Sequence, residues 1–235
     1  MLWRITKWSF RVVLFFFIFT ILWVVVLKFA PIYFTPLMLI RKTEAYFDKK
    51  DTQIHYQWTS YDQISTHAFI AVVSSEDQRF PTHNGFDWEA IQIAMEENKI
   101  RAQQGLRPRG ASTISQQVAK NVFLWNGGGY VRKAFEAYFT FLIELIWGKK
   151  RIIEVYLNIA EMGNMTFGVQ AAAQQFWKKT ASQLNAAEAA TLAAVLPNPR
   201  IYSAKNPDWF VLTRRNQIMY QMQMLGGIQY LQGIF

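Results

Sequence analysis

Charged residues vanish from one stretch near the start of the chain: Val12 to Leu27 reads VVLFFFIFTILWVVVL, and after Lys28 the apolar character resumes with Phe29 and Ala30. A helix needs roughly 20 apolar residues to cross a bilayer core, and Arg11 and Lys28 are long enough to reach the headgroups from either end. The pattern predicts one membrane-spanning helix over 12–31, after a tail of residues 1–11. A cleaved secretory signal shares the charged start and apolar core, but this stretch is longer than a typical signal core, and Phe29-Ala30-Pro31-Ile32-Tyr33 lacks a clear small-x-small site. A buried helix of a soluble protein would keep a polar face, which is missing here.

Residues 32–63 mix aromatic, charged and Thr positions without a sustained period, which reads as a linker that packs onto the domain at 64–235. Helical spacing dominates that domain. Trp88 to Glu97 carries apolar residues at helical intervals and runs into Asn98 to Arg109, a polar, basic stretch expected to be mobile. Ser112 is placed to cap a helix starting at Thr113, and Asn126-Gly127-Gly128-Gly129 marks a loop. Tyr130 to Trp147 predicts a long helix whose later part is apolar almost all round, so it belongs in the core or against a membrane, the core being preferred. Gly148 ends it and Lys149 opens the next. Asn185 with Glu188 three residues on is a capping-box signature for a helix closed by Pro197 and Pro199. Trp209 to Leu225 is helix-compatible, with Arg214 and Arg215 expected outward. With no internal repeat and no convincing strand alternation, the domain is expected to be mainly α.

Composition narrows the partners. The formal net charge of +9 calls for anionic ones: nucleic acid, acidic lipid headgroups or a phosphorylated substrate. Arg4, Lys7 and Arg11 precede the span without an acidic residue, which by the positive-inside rule keeps the N-terminus inside and sends the body outward. Nucleic acid is then not expected; the bilayer surface or a lipid-linked phosphate is. Trp3, Trp8 and Tyr33 suit the two interfaces. The chain has no cysteine, so neither a disulfide nor a thiolate metal site is possible.

Chemistry concentrates in Ser75-Glu76-Asp77-Gln78-Arg79-Phe80-Pro81-Thr82-His83-Asn84-Gly85-Phe86-Asp87-Trp88, which sets three carboxylates, an Arg and a His between an apolar run and a helix start. Glu76 closes the run Phe69 to Val73, where partial burial raises a carboxyl toward the range of a general base. Asp87 suits the cap of the helix at Trp88. The plain alternative is a capped helix preceded by a solvated acidic turn.

Four further clusters follow in order: Gly110-Ala-Ser-Thr-Ile-Ser-Gln-Gln-Val-Ala-Lys-Asn121, Arg132-Lys-Ala-Phe-Glu136, Lys149-Lys-Arg-Ile-Ile-Glu-Val-Tyr-Leu-Asn158, and Ala189 to Pro199. With the acidic stretch they resemble the five ordered motifs of the peptidoglycan glycosyltransferases, glycosyltransferase family 51, over roughly residues 64–207, in the monofunctional biosynthetic form. The resemblance implies a lysozyme-like, two-lobed helical fold behind one transmembrane helix. It also implies a reaction: lipid II is polymerised into β-1,4-linked glycan strands with inversion and release of undecaprenyl pyrophosphate, at the bacterial cytoplasmic membrane.

On that resemblance Glu76 matches the first Glu of the family's E-D-x-x-F motif and becomes the candidate base, with Glu136 ranked second. Lys120, Arg132 and Lys133 fall on positions that neutralise the pyrophosphate, and Arg132 with Glu136 share a helix face and can pair. Asp77, Arg79, Phe80, His83, Ser112, Thr113, Gln116, Gln117, Asn121 and Lys149 complete the expected substrate-contacting set. The start of the helix after Ser112 is expected to offer partial positive charge to an anion. Ser115 stands where the family commonly has Thr. Glu154 and Asn158 are spaced as a structural helix pair. His83 reads as a packed, hydrogen-bonded histidine, because no His or Cys partner sits at ligand spacing. The resemblance also implies a divalent metal, Mg²⁺ or Mn²⁺, held by substrate phosphates with Glu76 or Asp77, and partners in cell-wall synthesis or division. A lysozyme-like glycan-cleaving enzyme and a non-catalytic anchored scaffold remain the alternatives.

Overall fold

The computed structural model describes residues 2–125 and 127–234; Asn126 of the expected loop, and the side chains of Trp3 and Arg4, lie outside the described residues. Among the described residues ten α-helices run in the order α1 (Leu2–Phe29), α2 (Pro36–Phe47), α3 (Thr66–Glu76), α4 (Trp88–Gln103), α5 (Ile114–Phe123), α6 (Gly129–Ile146), α7 (Gly148–Ile159), α8 (Val169–Trp177), α9 (Ala186–Val195) and α10 (Trp209–Met224). Three short strands, β1 (His55–Tyr56), β2 (Glu161–Gly163) and β3 (Thr166–Phe167), form a sheet in the order β1-β3-β2. β1 is parallel to β3 and β2 antiparallel to it. Strands of two and three residues are too short to show alternation, which is why the sequence pattern missed them.

Helix α3 is the centre of the domain. Ser65 caps it by accepting from the His67 N–H, and Ala68 to Ser74 are all buried. A helix apolar on every side is stable only when covered on every side. Here α9, α10 and α7 supply the cover. Burying Phe69 or Ile70 contributes about 1.5–3 kcal/mol each, so the end of α3, and Glu76 with it, sits on a rigid base. Asp87 caps α4 and Asn185 with Glu188 forms a capping box on α9, both where the sequence places them.

Between the span and the domain, the sequence predicts a plain linker; the structure folds it into α2 and β1. Pro36 in the first turn and Thr35 as cap, accepting from the Met38 N–H at 3.3 Å, start α2. Residues 7–29 of α1 are long and apolar enough to cross a membrane. The helix docks on the domain. Thr20 Oγ1 and Tyr138 Oη are 2.7 Å apart, and Trp147 Nε1 donates to the Val24 carbonyl at 2.7 Å. Arg151 donates to the Leu27 and Ala30 carbonyls at 2.9 and 2.5 Å, satisfying acceptors that α1 leaves open at its C-terminus.

The all-round apolar part of α6 divides between two environments. Phe139, Leu142 and Ile143 pack into the core, whereas Phe141 and Leu145 stay exposed on the opposite face. Gly168 lets β3 turn into α8 against α7: its φ is +81°, and a Cβ there would stand 2.4 Å from the Asn158 carbonyl oxygen.

Candidate active site

Glu76 is the last residue of α3 and opens onto a cavity of about 740 Å³ walled by α4, the start of α5 and α10. Its Oε2 accepts from Gln117 Nε2 of α5 at 2.9 Å, and Gln117 Oε1 faces the hydroxyl of Tyr156, buried on α7, at 3.5 Å. Burial raises the Glu76 carboxyl above its ordinary pKa; the Gln117 bond and the Arg214 charge pull it back, and Asp77 pushes it up again. The result is a desolvated carboxylate with increased proton affinity and one engaged oxygen, as a general base requires.

Asp77 and His83 form a positioning unit. Asp77 is buried and accepts from His83 Nε2 at 3.0 and 2.9 Å and from the Ile114 N–H at 2.9 Å. His83 Nδ1 accepts from the Gly85 N–H at 3.0 Å, so the proton resides on Nε2 and is donated to Asp77. Gly85, at φ +88°, passes so close to α6 that a Cβ would lie 2.8 Å from Thr140. Asp77 fills the N-terminus of α5, so that terminus is not open to a substrate anion. His83 hydrogen-bonds through both ring nitrogens, to Asp77 and to the Gly85 N–H. Phe80 is fully buried, with Lys149 Nζ 4.5 Å from its ring centre, and is a core residue.

The α5 cap is Thr113, one residue later than expected. Its Oγ1 accepts from the Gln116 N–H and donates to the Gly85 carbonyl, while the Gln116 side chain returns a bond to the Thr113 N–H. That capping box uses up Thr113 and Gln116 and leaves Ser112 exposed at the cavity edge. Arg79 also lines the cavity, paired with Asp87 and Glu89. Lys149 is held away from the cavity by Glu144 at 2.6 Å, and Ser115 donates to the same carboxylate. Asn121, half-buried on α5, makes no side-chain hydrogen bond among the described residues.

Glu136, only 3 % exposed, accepts from Arg132 at 2.6 Å and Lys133 at 2.5 Å. Lys120 of α5 belongs to the same cluster: burial lowers its pKa, Glu136 raises it, and Arg132 and Lys133 lower it further. Three cations around one carboxylate leave an excess of positive charge suited to a phosphate. Gln117, which holds Glu76, and Lys120, of the cationic cluster, are three residues apart on α5 and share a face, a rise of about 4.5 Å between the two positions along that helix. Glu154 and Asn158 act through the backbone of 59–61: Glu154 accepts from the Tyr61 N–H, and Asn158 exchanges bonds with Thr59 at 2.8 and 2.9 Å.

Two residues near Glu76 were not read from the sequence. Arg214, expected outward, lines the cavity; Tyr156, inside the Lys149 to Asn158 motif and buried in the core, faces Gln117. A resident metal finds no ligand set. Among the described residues no three His, Cys, Asp or Glu side chains converge. With Asp77 committed to His83 and the α5 backbone, Glu76 alone offers too few oxygens for a hard divalent ion.

Comparison with known proteins places this architecture. The transglycosylase family profile matches residues 43–223. The chain is 51% identical over 204 residues to the biosynthetic peptidoglycan transglycosylase of Pasteurella multocida, covering 86% of this chain and 81% of that one. It is 47% identical over 222 residues to the protein of that name from Bacteroides thetaiotaomicron, covering 94% and 88%, and 50% identical over 211 to that of Pseudomonas syringae pv. tomato, covering 90% and 88%. With the profile running from within α2 into the last turn of α10 and the acidic and basic motifs inside it, the chain belongs to the transglycosylase family.

Proposed function

We propose that this protein is a membrane-anchored peptidoglycan glycosyltransferase that polymerises lipid II into β-1,4-linked strands with inversion. The observation that carries the reading is the Glu76 carboxylate, held by Gln117, one α5 turn from the cations around Glu136. The acceptor sugar hydroxyl attacks the anomeric carbon of the lipid-linked donor while its proton passes to Glu76. The bond from that carbon to the pyrophosphate oxygen breaks, and the pyrophosphate leaves with the electron pair. Lys120, Arg132 and Lys133 stabilise the charge it gains, and they act strongly because the cluster is partly dehydrated. Glu136 keeps those cations ordered, which makes it a positioning group.

A divalent ion would arrive on the substrate's phosphates, the hard oxygens it prefers. Asp77, His83, Thr113 and Gln116 set the geometry of Glu76 and α5, while Ser112 and Asn121 remain available for the sugars and Arg79 lines the cavity as the partner of Asp87 and Glu89. Arg4, Lys7 and Arg11, at the start of α1, support an N-terminus inside and a domain on the outer face of the cytoplasmic membrane, where cell-wall synthesis and division proteins are accessible.

Labelled lipid II in detergent tests the reading. Wild type should convert it to polymer, and Glu76→Gln should lose about 10²–10⁴ of that rate. A glycan-cleaving enzyme would instead degrade purified cell-wall strands, a reaction for which the phosphate cluster has no use. No turnover of either substrate by wild type would favour a scaffold.

A further inference from the structure

Helix α10 turns a polar stripe into the cavity. Arg214, Gln217 and Gln221 are spaced three and four apart, share one face and line the cavity beside Glu76. None of the three makes a hydrogen bond or ion pair among the described residues, and Arg214 Nε is buried without a partner. Buried polar atoms are rarely left unsatisfied unless something else binds them. The adjoining stripe of that helix is conventional: Val211, Ile218 and Met222 are buried in the core, and Ile218 also reaches the cavity wall.

The cavity's other cations are already committed. Arg79 pairs with Asp87 and Glu89, and Arg109 pairs with Glu97 at 2.8 Å. With Glu76, Asp77, Asp87 and Glu89 on its walls as well, this cavity does not carry the charge of a phosphate site. Its free groups are two carboxamides and a guanidinium, which pair well with hydroxyls and N-acetyl amides. Thr113 lines the cavity and Lys120 belongs to the phosphate cluster, seven residues or about 10 Å further along α5. Glu76, bonded to Gln117, stands between the two.

We propose that the Arg214, Gln217 and Gln221 face of α10 is a sugar-binding wall that grips N-acetylated glycan on the side of Glu76 away from the pyrophosphate. This rests on the glycosyltransferase reading for its place in the reaction, but the binding claim stands by itself. It gives the strand a hold that is independent of its lipid and resists release between additions.

The test uses the full chain in detergent micelles and a phosphate-free probe, a β-1,4-linked N-acetylglucosamine tetrasaccharide, with binding followed by protein-observed NMR. Wild type should bind it. Gln217→Ala with Gln221→Ala, both at sites that bury no core atom, should weaken binding about tenfold, and Arg214→Lys should weaken it less than Arg214→Gln. Arg132→Gln should leave it unchanged. The α10 variants should also shorten the strands made from lipid II. No binding by wild type, or equal binding by the double variant, would overturn the proposal. Failure of wild type to polymerise lipid II would instead remove the glycosyltransferase reading, with the tetrasaccharide measurement still deciding the sugar wall.

Discussion

Gln117 Nε2 donates to Glu76 Oε2 at 2.9 Å, and this bond couples the end of the central helix α3 to the helix that carries Lys120. It stabilises the charged form of Glu76 against burial, which favours the neutral one. Gln117→Ala removes that support, so the carboxyl gains proton affinity and is ionised only at higher pH. The acid limb of the pH dependence of polymerisation should move to higher pH, with the loss of rate larger at low pH than at high pH. A uniform loss across the profile would mean that Gln117 acts on substrate and not on Glu76.

Glu76→Gln separates activity from stability. Because burial raises the folded-state pKa above the unfolded one, the native state binds this proton more tightly. The stability contributed is therefore full below the unfolded pKa and lost as pH rises through the folded one. At neutral and alkaline pH the ionised carboxylate destabilises the fold, and the amide does not. Thermal unfolding should show Glu76→Gln to be the more stable protein at neutral pH, with the difference closing as pH falls, while turnover drops by about 10²–10⁴. Equal Tm across that range would argue that Glu76 is well solvated.

The parts of this site visible in the sequence were those written in local signals. Asn185 with Glu188, and Asp87 before Trp88, specify caps through contacts within one turn, and the structure keeps both. Ser112 and Thr113 are adjacent hydroxyls with equal capping chemistry, and only the Gly85 carbonyl opposite Thr113 decides between them. Arg214 was misplaced for a related reason. A helix such as α10 with scattered apolar residues does not announce which side faces the domain, and the covering of Val211 and Ile218 by the core turns Arg214 inward. His83 needed the fold as well: its partners Asp77 and Gly85 are near in sequence, but their service to α5 depends on Ile114, far along the chain.

Among the described residues, Glu136 is the sole carboxylate in direct contact with Arg132 and Lys133. Glu136→Ala leaves like charges facing one another. Breaking a buried pair costs about 3–5 kcal/mol, and the exposure of Lys133 reduces that to about 2–3 kcal/mol here. Urea unfolding should report this loss, and low salt should worsen it. A variant with lost turnover but unchanged stability would assign Glu136 a direct chemical role in place of the ordering of cations.

Gly168→Ala tests the seam between β3, α7 and α8. Alanine must adopt φ +81° and also displace the backbone carbonyl of Asn158, 2.4 Å from its Cβ. Strain of about 1–3 kcal/mol for the dihedral and a comparable amount for overpacking should lower Tm sharply. Gly105→Ala is the control, because its φ of +67° is also positive but nothing lies within 4 Å. The excess loss at Gly168 measures the close approach.

The anchor is part of the catalytic body, because α1 shares bonds with α6 and α7 and not only a chain connection. Arg151 ties the last carbonyls of α1 to Glu154, whose other oxygen holds Tyr61, so the base of the span and the entry to α3 move together. Arg151→Met with Trp147→Phe cuts the bonds to Leu27, Ala30 and Val24 while keeping apolar bulk. A loosened domain no longer presents its cleft at a fixed height above the bilayer, and misplacement of about 1 Å is enough to cost catalysis heavily. Turnover of lipid II embedded in vesicles should fall about tenfold, and turnover of a detergent-dispersed short-chain analogue far less. Removal of the residues before Tyr33 should reproduce the same inequality, and equal losses on the two substrates would exclude a positioning role for α1.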